Sequence, residues 1–171
     1  KDTLSISDTD KLTAEDLMAH NDLSEQLDLD ASEALDNFSG ELDERSDCPT
    51  VTYTQPQGTW PNTITLDYSD SGCTKNGRTY KGKVTITQTN PMSTPGATRT
   101  FAFDQFFIEG VQLEGSKTVT LGGLNSTGLP YFTIAVDETL TYPNGTQATY
   151  TSSRVRTLVE GVPALDIRLD L

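Results

Sequence analysis

The stretch around which the sequence is organised reads Asp67-Tyr-Ser-Asp-Ser-Gly-Cys-Thr-Lys-Asn-Gly-Arg-Thr-Tyr-Lys-Gly-Lys83. It is rich in turn-forming residues and carries Cys73, one of only two cysteines. Apolar residues alternate on both sides of it, at Ile64, Leu66, Tyr68, Val84 and Ile86. Alternation with a period of two on each side of turn residues is typical of two strands joined by a connection. The sequence therefore predicts a β body that extends outward from this stretch.

The charge of the 171-residue chain is concentrated at its front. The sequence has 12 basic and 25 acidic residues, and residues 1–47 hold 15 of the acids but only 3 of the bases. The rest is nearly neutral, so it lacks the basic face that nucleic-acid phosphates or anionic lipids need. We predict one compact unit made of an acidic tail and helical segment (1–47) and an antiparallel β domain (48–171).

The front segment has the pattern of an amphipathic helix. Thr13 is placed as its N-cap, with Leu12 and Leu17 at the hydrophobic-staple positions. Further apolar residues recur at spacings of three and four, at Leu27, Ala31, Ala34, Leu35, Phe38 and Leu42. Such a stripe indicates a helix with one buried face. The sole histidine, His20, lies in this acidic stretch, and we interpret it as a surface residue without a catalytic or metal-binding role.

The β domain contains two clear hairpins. Arg99–Ile108 and Val111–Leu121 are joined by Glu109-Gly110, and Tyr131–Tyr142 and Gln147–Val159 are joined across Pro143-Asn144-Gly145. Connections of this length that contain glycine are typical of antiparallel pairs. The final stretch Ala164–Leu171 alternates as well, which predicts an edge strand or a chain that continues. The predicted fold class is mainly β, an antiparallel meander, sandwich or half-barrel of about seven or eight strands with the helix packed on it.

The first arm of the first hairpin is apolar on both sides. Strict alternation places Phe101, Phe103 and Phe107 on one face and Ala102, Phe106 and Ile108 on the other. A strand with two apolar faces has to be covered on both, by a second sheet or by the helix. The cluster Phe101, Phe103, Phe106, Phe107 and Trp60 is thus core, and the alternative is a ligand-facing lipid cavity.

Cys48 and Cys73 flank the predicted strand Thr63–Tyr68. In an exported protein, two cysteines most simply form one disulfide, and two buried thiols are the alternative. A metal site is less suited, because no histidine or third cysteine stands near them. The sequence starts with Lys1 and shows no signal peptide and no apolar run of about 20 residues, as expected of a processed exported chain.

Glu138 and Asp104 are the two acids that interrupt apolar strand patterns. Glu138 lies between Val136 and Leu140, and we expect it beyond the edge of the core or paired with Arg154 or Arg156. A glycosidase pair of carboxylates is the alternative. No nucleophile, phosphate-binding or dinucleotide motif occurs in the sequence. Asp67, Asp70 and Asn76 could hold calcium, but an Asn-Gly turn explains the pattern more simply, and we predict no cofactor.

Several segments in order resemble a family of exported lipoproteins of Bacteroidetes. They are Cys48-Pro-Thr-Val-Thr, Asn62-Thr-Ile-Thr-Leu-Asp-Tyr, Gly72-Cys, Asn76-Gly-Arg-Thr, Lys81-Gly-Lys-Val and the hairpin from Phe101 to Thr120. The resemblance covers about Cys48 to Val159. It implies an envelope protein in the periplasm or on the outer-membrane surface, attached through a lipidated cysteine that this sequence lacks. It implies no activity.

These observations predict a non-enzymatic ectodomain that binds a partner, either protein, glycan or lipid. A lipid carrier with an apolar cavity under the helix is the first alternative. A carbohydrate-active enzyme with paired carboxylates is the second. We expect contact with the membrane only through the lipid anchor.

Overall fold

A computed structural model describes residues 20, 24–28, 30–32, 35 and 48–158. The strands are β1 (Thr50–Tyr53), β2 (Asn62–Asp67), β3 (Cys73–Lys75), β4 (Arg78–Gln88), β5 (Thr98–Ile108), β6 (Val111–Leu124), β7 (Pro130–Thr141) and β8 (Gln147–Thr157). The described positions before residue 48 are helical, and we name them α1. The predicted helix start at Leu12–Leu17 and the predicted strand at Ala164–Leu171 lie outside the described residues.

All eight strands belong to one antiparallel sheet. The order is β1-β2-β4-β5-β6-β7-β8, and β3 pairs with the beginning of β4. β2 and β3 therefore lie end to end along the same side of β4. The predicted fold class, mainly β and antiparallel with a helix, is confirmed. Within the described residues the strands form an open meander and no second sheet.

The two-residue turns have the backbone that their sequences predict. Asn76 and Gly77 have φ angles of 52° and 76°, and Glu109 and Gly110 have 49° and 80°. Positive φ at both central residues is the signature of the type I′ turn, whose twist matches that of the flanking strands. The Asn-Gly turn and the Glu109-Gly110 hairpin are therefore confirmed.

The two faces of the sheet differ in composition because side chains alternate along each strand. On the covered face, Leu27, Ala31 and Leu35 of α1 pack against the apolar core. The core's buried strand residues include Ile64, Leu66, Val84, Ile86, Phe101, Phe106, Val119, Ile134, Val136 and Tyr150. The opposite face, which we call the outer face, carries short hydroxyl side chains that include Thr65, Thr85, Thr100, Thr118 and Ser153.

The predicted disulfide between Cys48 and Cys73 is confirmed, with 5.8 Å between the two Cα atoms. It ties the residues before β1 to β3, and so fixes both ends of the segment that contains β2. The bridge spans 25 positions of sequence. A loop of that length is expected to stabilise the fold by about 3.5 kcal/mol through the entropy of the unfolded chain.

A β-bulge shifts the register in the middle of β5. The pairing with β6 is interrupted between Ala102 and Phe106, and the pairing with β4 is interrupted opposite Gly82. Gln105, in this interval, has a positive φ of 46°. One extra residue in a strand reverses the alternation of every side chain that follows it.

The bulge places Phe106 on the covered face together with Phe101 and Phe103. The rings of Phe103 and Phe106 stack with centroids 5.7 Å apart. Phe107 turns to the outer face, where Lys81 Nζ lies 5.5 Å from its ring centroid. The predicted grouping of Phe107 with Phe101 and Phe103, and of Phe106 with Ala102, is therefore wrong. Because Phe101, Phe103 and Phe106 share the covered face, β5 has to be covered on that face only.

Gly82→Ala tests the bulge. A β-carbon at Gly82, where φ is +86°, would lie 1.9 Å from the carbonyl oxygen of Gln105. We expect the positive φ to cost about 1–2 kcal/mol and the clash about 1–3 kcal/mol more, measured as the free energy of unfolding in urea. Gly77→Ala is the matched control, because its φ is +76° and no atom lies within 4 Å of the added carbon. Equal losses in the two variants would contradict the described bulge.

Candidate functional site

A row of polar side chains lies between α1 and the sheet. His20, Ser24, Asp28 and Ser32 follow one another at intervals of four residues, so they share one side of the helix. The neighbouring side carries Leu27, Ala31 and Leu35, which are buried in the core. Both rows face the sheet, and the polar row therefore has to find polar partners on β5, β6 and β7.

The first of these contacts joins His20 to β7. His20 and Glu138 are each less than 5% exposed, and the two side chains are hydrogen-bonded between His20 Nε2 and Glu138 Oε2. The imidazole also packs on Tyr150 of β8, with ring centroids 4.7 Å apart. Within the described residues, His20 Nδ1 is buried and has no partner. The pair holds His20 of α1 above the β7–β8 hairpin.

The second contact joins α1 to β6. Lys117 is 4% exposed, and its Nζ donates hydrogen bonds to Asp28 Oδ2 and to the hydroxyl of Ser24, the latter at 2.7 Å. The ammonium also lies 5.2 Å from the centroid of the Phe101 ring. Buried ammonium groups need such partners, because the loss of hydration is otherwise uncompensated. Lys117 is thus neutralised by the helix.

The third contact joins α1 to β5. Arg99 is 2% exposed, and its Nη1 donates to the Ser32 hydroxyl at 2.9 Å. Its Nε donates to Gln88 Oε1 of β4 at 2.7 Å. On the other side of the helix, Lys75 Nζ donates to Asp30 Oδ1 at 2.9 Å. α1 is therefore held to the sheet by polar bonds at four places.

The charged groups in these contacts hold α1 on the sheet. A carboxylate and an imidazole in contact could exchange a proton with a substrate only if a substrate reached them. His20 and Glu138 are buried between the helix and the sheet instead. Their arrangement serves the attachment of the helix.

Three expectations for acid–base residues are corrected by this geometry. His20 is buried, so its interpretation as a surface residue is wrong. Glu138 pairs with His20, and not with Arg154 or Arg156 as expected. Asp104 is exposed on the outer face, opposite Lys83, whereas Glu138 lies on the covered face. The structure therefore does not bring Glu138 and Asp104 together.

The candidate aromatic cluster is only partly assembled. Phe101 and Phe106 are fully buried, and the Phe106 ring lies 5.5 Å from that of Tyr68. Phe103 and Trp60 are half-buried and pack against the same core. Phe107 is on the outer face.

The hydroxyl of Tyr68 is buried beside this cluster. Burial removes it from water and raises its pKa, with smaller contributions from Asp30 and Tyr80.

The opening stretch uses its acids for local structure. Asp67 Oδ1 accepts a hydrogen bond from the Ser69 backbone N–H at 2.9 Å, and Asp67 Oδ2 lies 3.1 Å from Lys83 Nζ. These two contacts hold the pKa of the Asp67 carboxyl below its ordinary value, with the Ser69 bond as the larger cause. No cluster of three metal-type ligands occurs in the part of the chain that the structure describes.

The outer face presents rows of short hydroxyl side chains that sequence analysis overlooked. A Thr-x-Thr pattern recurs on β2, β4, β5, β6, β7 and β8, and the alternation directs each threonine pair outward. One row crosses seven strands and contains Thr52, Thr65, Thr85, Ala102, Ser116, Asp137 and Thr151. The repeated pattern was visible in the sequence and could have identified this surface.

A shallow depression opens on the outer face over β6, β7 and β8. Its volume is about 430 Å³, and its lining residues are Ser116, Thr118, Ala135, Val136, Asp137, Thr151, Ser152 and Ser153. The small side chains of Ala135 and Ser153 stand directly opposite each other in the β7–β8 ladder and are part of its lining. Most of the exposed lining is apolar, and a few hydroxyl and carboxylate groups are placed to orient a ligand.

Removal of one partner from the Lys117–Asp28 pair is expected to destabilise the fold. Lys117→Met leaves the Asp28 carboxylate without its ammonium, and Asp28→Ala leaves a buried ammonium. Each substitution should lower the free energy of unfolding, measured in urea, by about 3 kcal/mol. The double variant should lose less than the sum of the two, because both charges are then absent. Lys83→Met, which breaks an exposed pair on the outer face, is the control and should change stability little. Additive losses at positions 28 and 117 would contradict the contact.

The contribution of Asp67 to stability is expected to depend on pH. Its folded-state pKa lies below the ordinary value of 3.8. The stabilisation is therefore fully present above pH 3.8 and is lost as the pH falls through the folded-state pKa. Carboxyl chemical shifts of Asp67 should show the lowered pKa, and Lys83→Met should raise it toward 3.8. A titration of Asp67 at or above 3.8 in the native chain would contradict both contacts.

Comparisons with known proteins give this chain no relative. No family model matches the sequence, and no curated protein or solved structure shows significant similarity to it. Among the described residues, no helix is long and apolar enough to span a membrane. What the chain does must therefore be inferred from its own residues.

Proposed function

We propose that this chain is the non-enzymatic ectodomain of a cell-envelope lipoprotein and that it binds a neutral glycan on its outer face. The observation that carries the proposal is the depression over β6, β7 and β8, which lies on the face away from α1. It is accessible, its mainly apolar lining includes the hydroxyl groups of short side chains, and its side chains are not used to hold the helix.

The chemistry of the depression suits a sugar ring. Thr118, Thr151 and Ser153 offer hydroxyls that both donate and accept hydrogen bonds, as the hydroxyls of a glycan do. Asp137 is exposed at the centre and adds a carboxylate that can accept from two neighbouring hydroxyls. Short side chains of this kind lose little conformational entropy when a ligand orders them. The methyl groups of Thr118 and Ala135 provide the apolar contact.

The contacts on the covered face support a binding role rather than a carbohydrate-active enzyme or a lipid carrier. The carboxylate of Glu138 is bonded to His20, and Asp104 lies on the other side of the sheet, so a glycosidase pair gains no support. Phe101 and Phe106 are fully buried against the core, which is the arrangement of packed side chains and gives a lipid cavity no specific support.

Two observations support a location in the cell envelope, in the periplasm or on the outer-membrane surface. The Cys48–Cys73 disulfide is of the kind that forms and persists outside the reducing cytosol. The ordered motifs from Cys48 to the Pro143-Asn144-Gly145 hairpin resemble exported lipoproteins of Bacteroidetes, whose lipid anchor would provide the attachment to the membrane.

Ala135→Arg tests the glycan site. The long charged side chain should fill the depression and weaken binding at least tenfold, measured by isothermal titration with the glycan that a glycan array selects for the native chain. Thr65→Arg is the matched control, since it adds the same side chain to the same face on β2, which three strands separate from β7 in the sheet order. Circular dichroism should show that both variants are folded.

Two outcomes would reject the proposal. The first is that the native chain retains no neutral glycan on the array at millimolar glycan concentrations. The second is that Ala135→Arg binds the selected glycan as well as Thr65→Arg does, which would place the ligand elsewhere.

A further inference from the structure

Two arginines on β8 lie at one corner of the covered face and carry donors that nothing in the described structure uses. Arg154 and Arg156 are two residues apart on the strand, so both side chains project to the same face. Both are half-buried. Within the described residues, Arg154 Nε and Arg156 Nη1 are shielded from solvent and have no hydrogen-bond partner.

Such donors are unusual in a folded protein. Buried nitrogen atoms of a guanidinium group are almost always satisfied by an acceptor, because they have given up their bonds to water. The other two buried cations on this face, Lys117 and Arg99, illustrate the rule, since each is bonded to α1. Because no acceptor for either nitrogen lies among the described residues, these two adjacent exceptions mark the corner as a candidate ligand site.

The surroundings of the two arginines are apolar. In the ladder with β7, Arg154 stands opposite Ile134 and Arg156 stands opposite Phe132. Burial lowers the pKa of Arg156, and the positive charge of Arg154 lowers it further. An anion placed between the two guanidinium groups would offset both the loss of hydration and the repulsion between the two positive charges.

The net charge at this corner determines which type of anion it would bind. Glu25 and Asp28 of α1 act on Arg156 electrostatically, but Asp28 is already bonded to Lys117. Counting the described residues alone, two arginines against the remaining Glu25 leave one uncompensated positive charge. A monoanion balances that charge, whereas a phosphate dianion would leave an excess negative charge beside Glu25.

We propose that Arg154 and Arg156 form a binding site for an organic monocarboxylate. One carboxylate oxygen accepts from Arg154 Nε–H and the other from Arg156 Nη1–H, a charge-assisted arrangement that the fork of donors favours. The apolar body of the ligand packs against Phe132 and Ile134. The site is separate from the proposed glycan site, which lies on the outer face of the sheet.

The test uses the full chain and butyrate as the probe. Isothermal titration should show saturable binding in about the millimolar range expected for so small a ligand. The same titration followed by proton–nitrogen NMR should shift the Nε–H signals of Arg154 and Arg156. Arg154→Gln and Arg156→Gln should each weaken binding at least tenfold. The affinity of Arg156→Lys for butyrate should lie between that of the glutamine variants and that of the native chain, because lysine keeps the charge but lacks the forked donors of a guanidinium group.

Arg78→Gln is the matched control. Arg78 is also a half-buried arginine, but it lies on β4, separated from β8 by three strands in the sheet order. Its substitution should leave butyrate binding unchanged. Thermal unfolding separates a binding role from a structural one: the glutamine variants at 154 and 156 should unfold no earlier than the native chain, since no protein acceptor is lost.

Three results would overturn the proposal. Butyrate binding that is undetectable in the native chain, with both Nε–H signals already protected from solvent exchange, would mean that a carboxylate of the chain itself fills the site. Equal binding by the glutamine variants would place butyrate elsewhere. Binding of inorganic phosphate as tightly as butyrate would refute the preference for a monocarboxylate.

Discussion

The polar row of α1 crosses three neighbouring strands of the sheet, and the arrangement of the covered face depends on that crossing. Four residues of helix rise about 6 Å, and neighbouring strands lie about 4.8 Å apart, so a helix that crosses the strands obliquely meets successive strands within one or two turns. His20 accordingly meets β7, Ser24 and Asp28 meet β6, and Ser32 meets β5. Rotation of the helix by one residue, about 100°, would separate the whole row from its partners.

The polar and apolar rows of α1 contribute different properties to the fold. Leu27, Ala31 and Leu35 remove apolar surface from water, which drives docking but tolerates sliding, because burial is not directional. The bonds to Glu138, Lys117 and Arg99 are directional, and a misplaced helix would leave those groups buried and unpaired. We infer that the polar row contributes mainly to the choice of one orientation, since a buried ion pair adds little net stability relative to apolar packing.

Local patterns in the sequence predicted the parts of the fold that local physics decides. The Asn76-Gly77 turn, the Glu109-Gly110 hairpin, the pairing of Cys48 with Cys73 and the antiparallel meander all follow from residue type and spacing. The side on which Phe106 lies does not, because it depends on one extra residue accommodated by the absence of a side chain at Gly82 in another strand. The burial of His20 was missed for a related reason. Its spacing of four residues from Ser24 and of eight from Asp28 indicates a polar stripe, but only the sheet shows that the stripe faces inward.

The distribution of charge over the two faces explains why the proposed ligand sites lie where they do. Along β5, β6 and β7 the covered face places Arg99, Lys117 and Glu138 under the polar row of α1, and each is satisfied there. On β8 the described helix residues contribute the ring contact of His20 with Tyr150 and the more distant charges of Glu25 and Asp28. None of these residues accepts a hydrogen bond from Arg154 Nε or Arg156 Nη1. The outer face has no such demand, because its threonine and serine hydroxyls bond to one another or to water, as Thr63 does to Thr87 and Thr100 to Thr118. A ligand at the arginine corner would complete the covered face, whereas a ligand on the outer face would replace water.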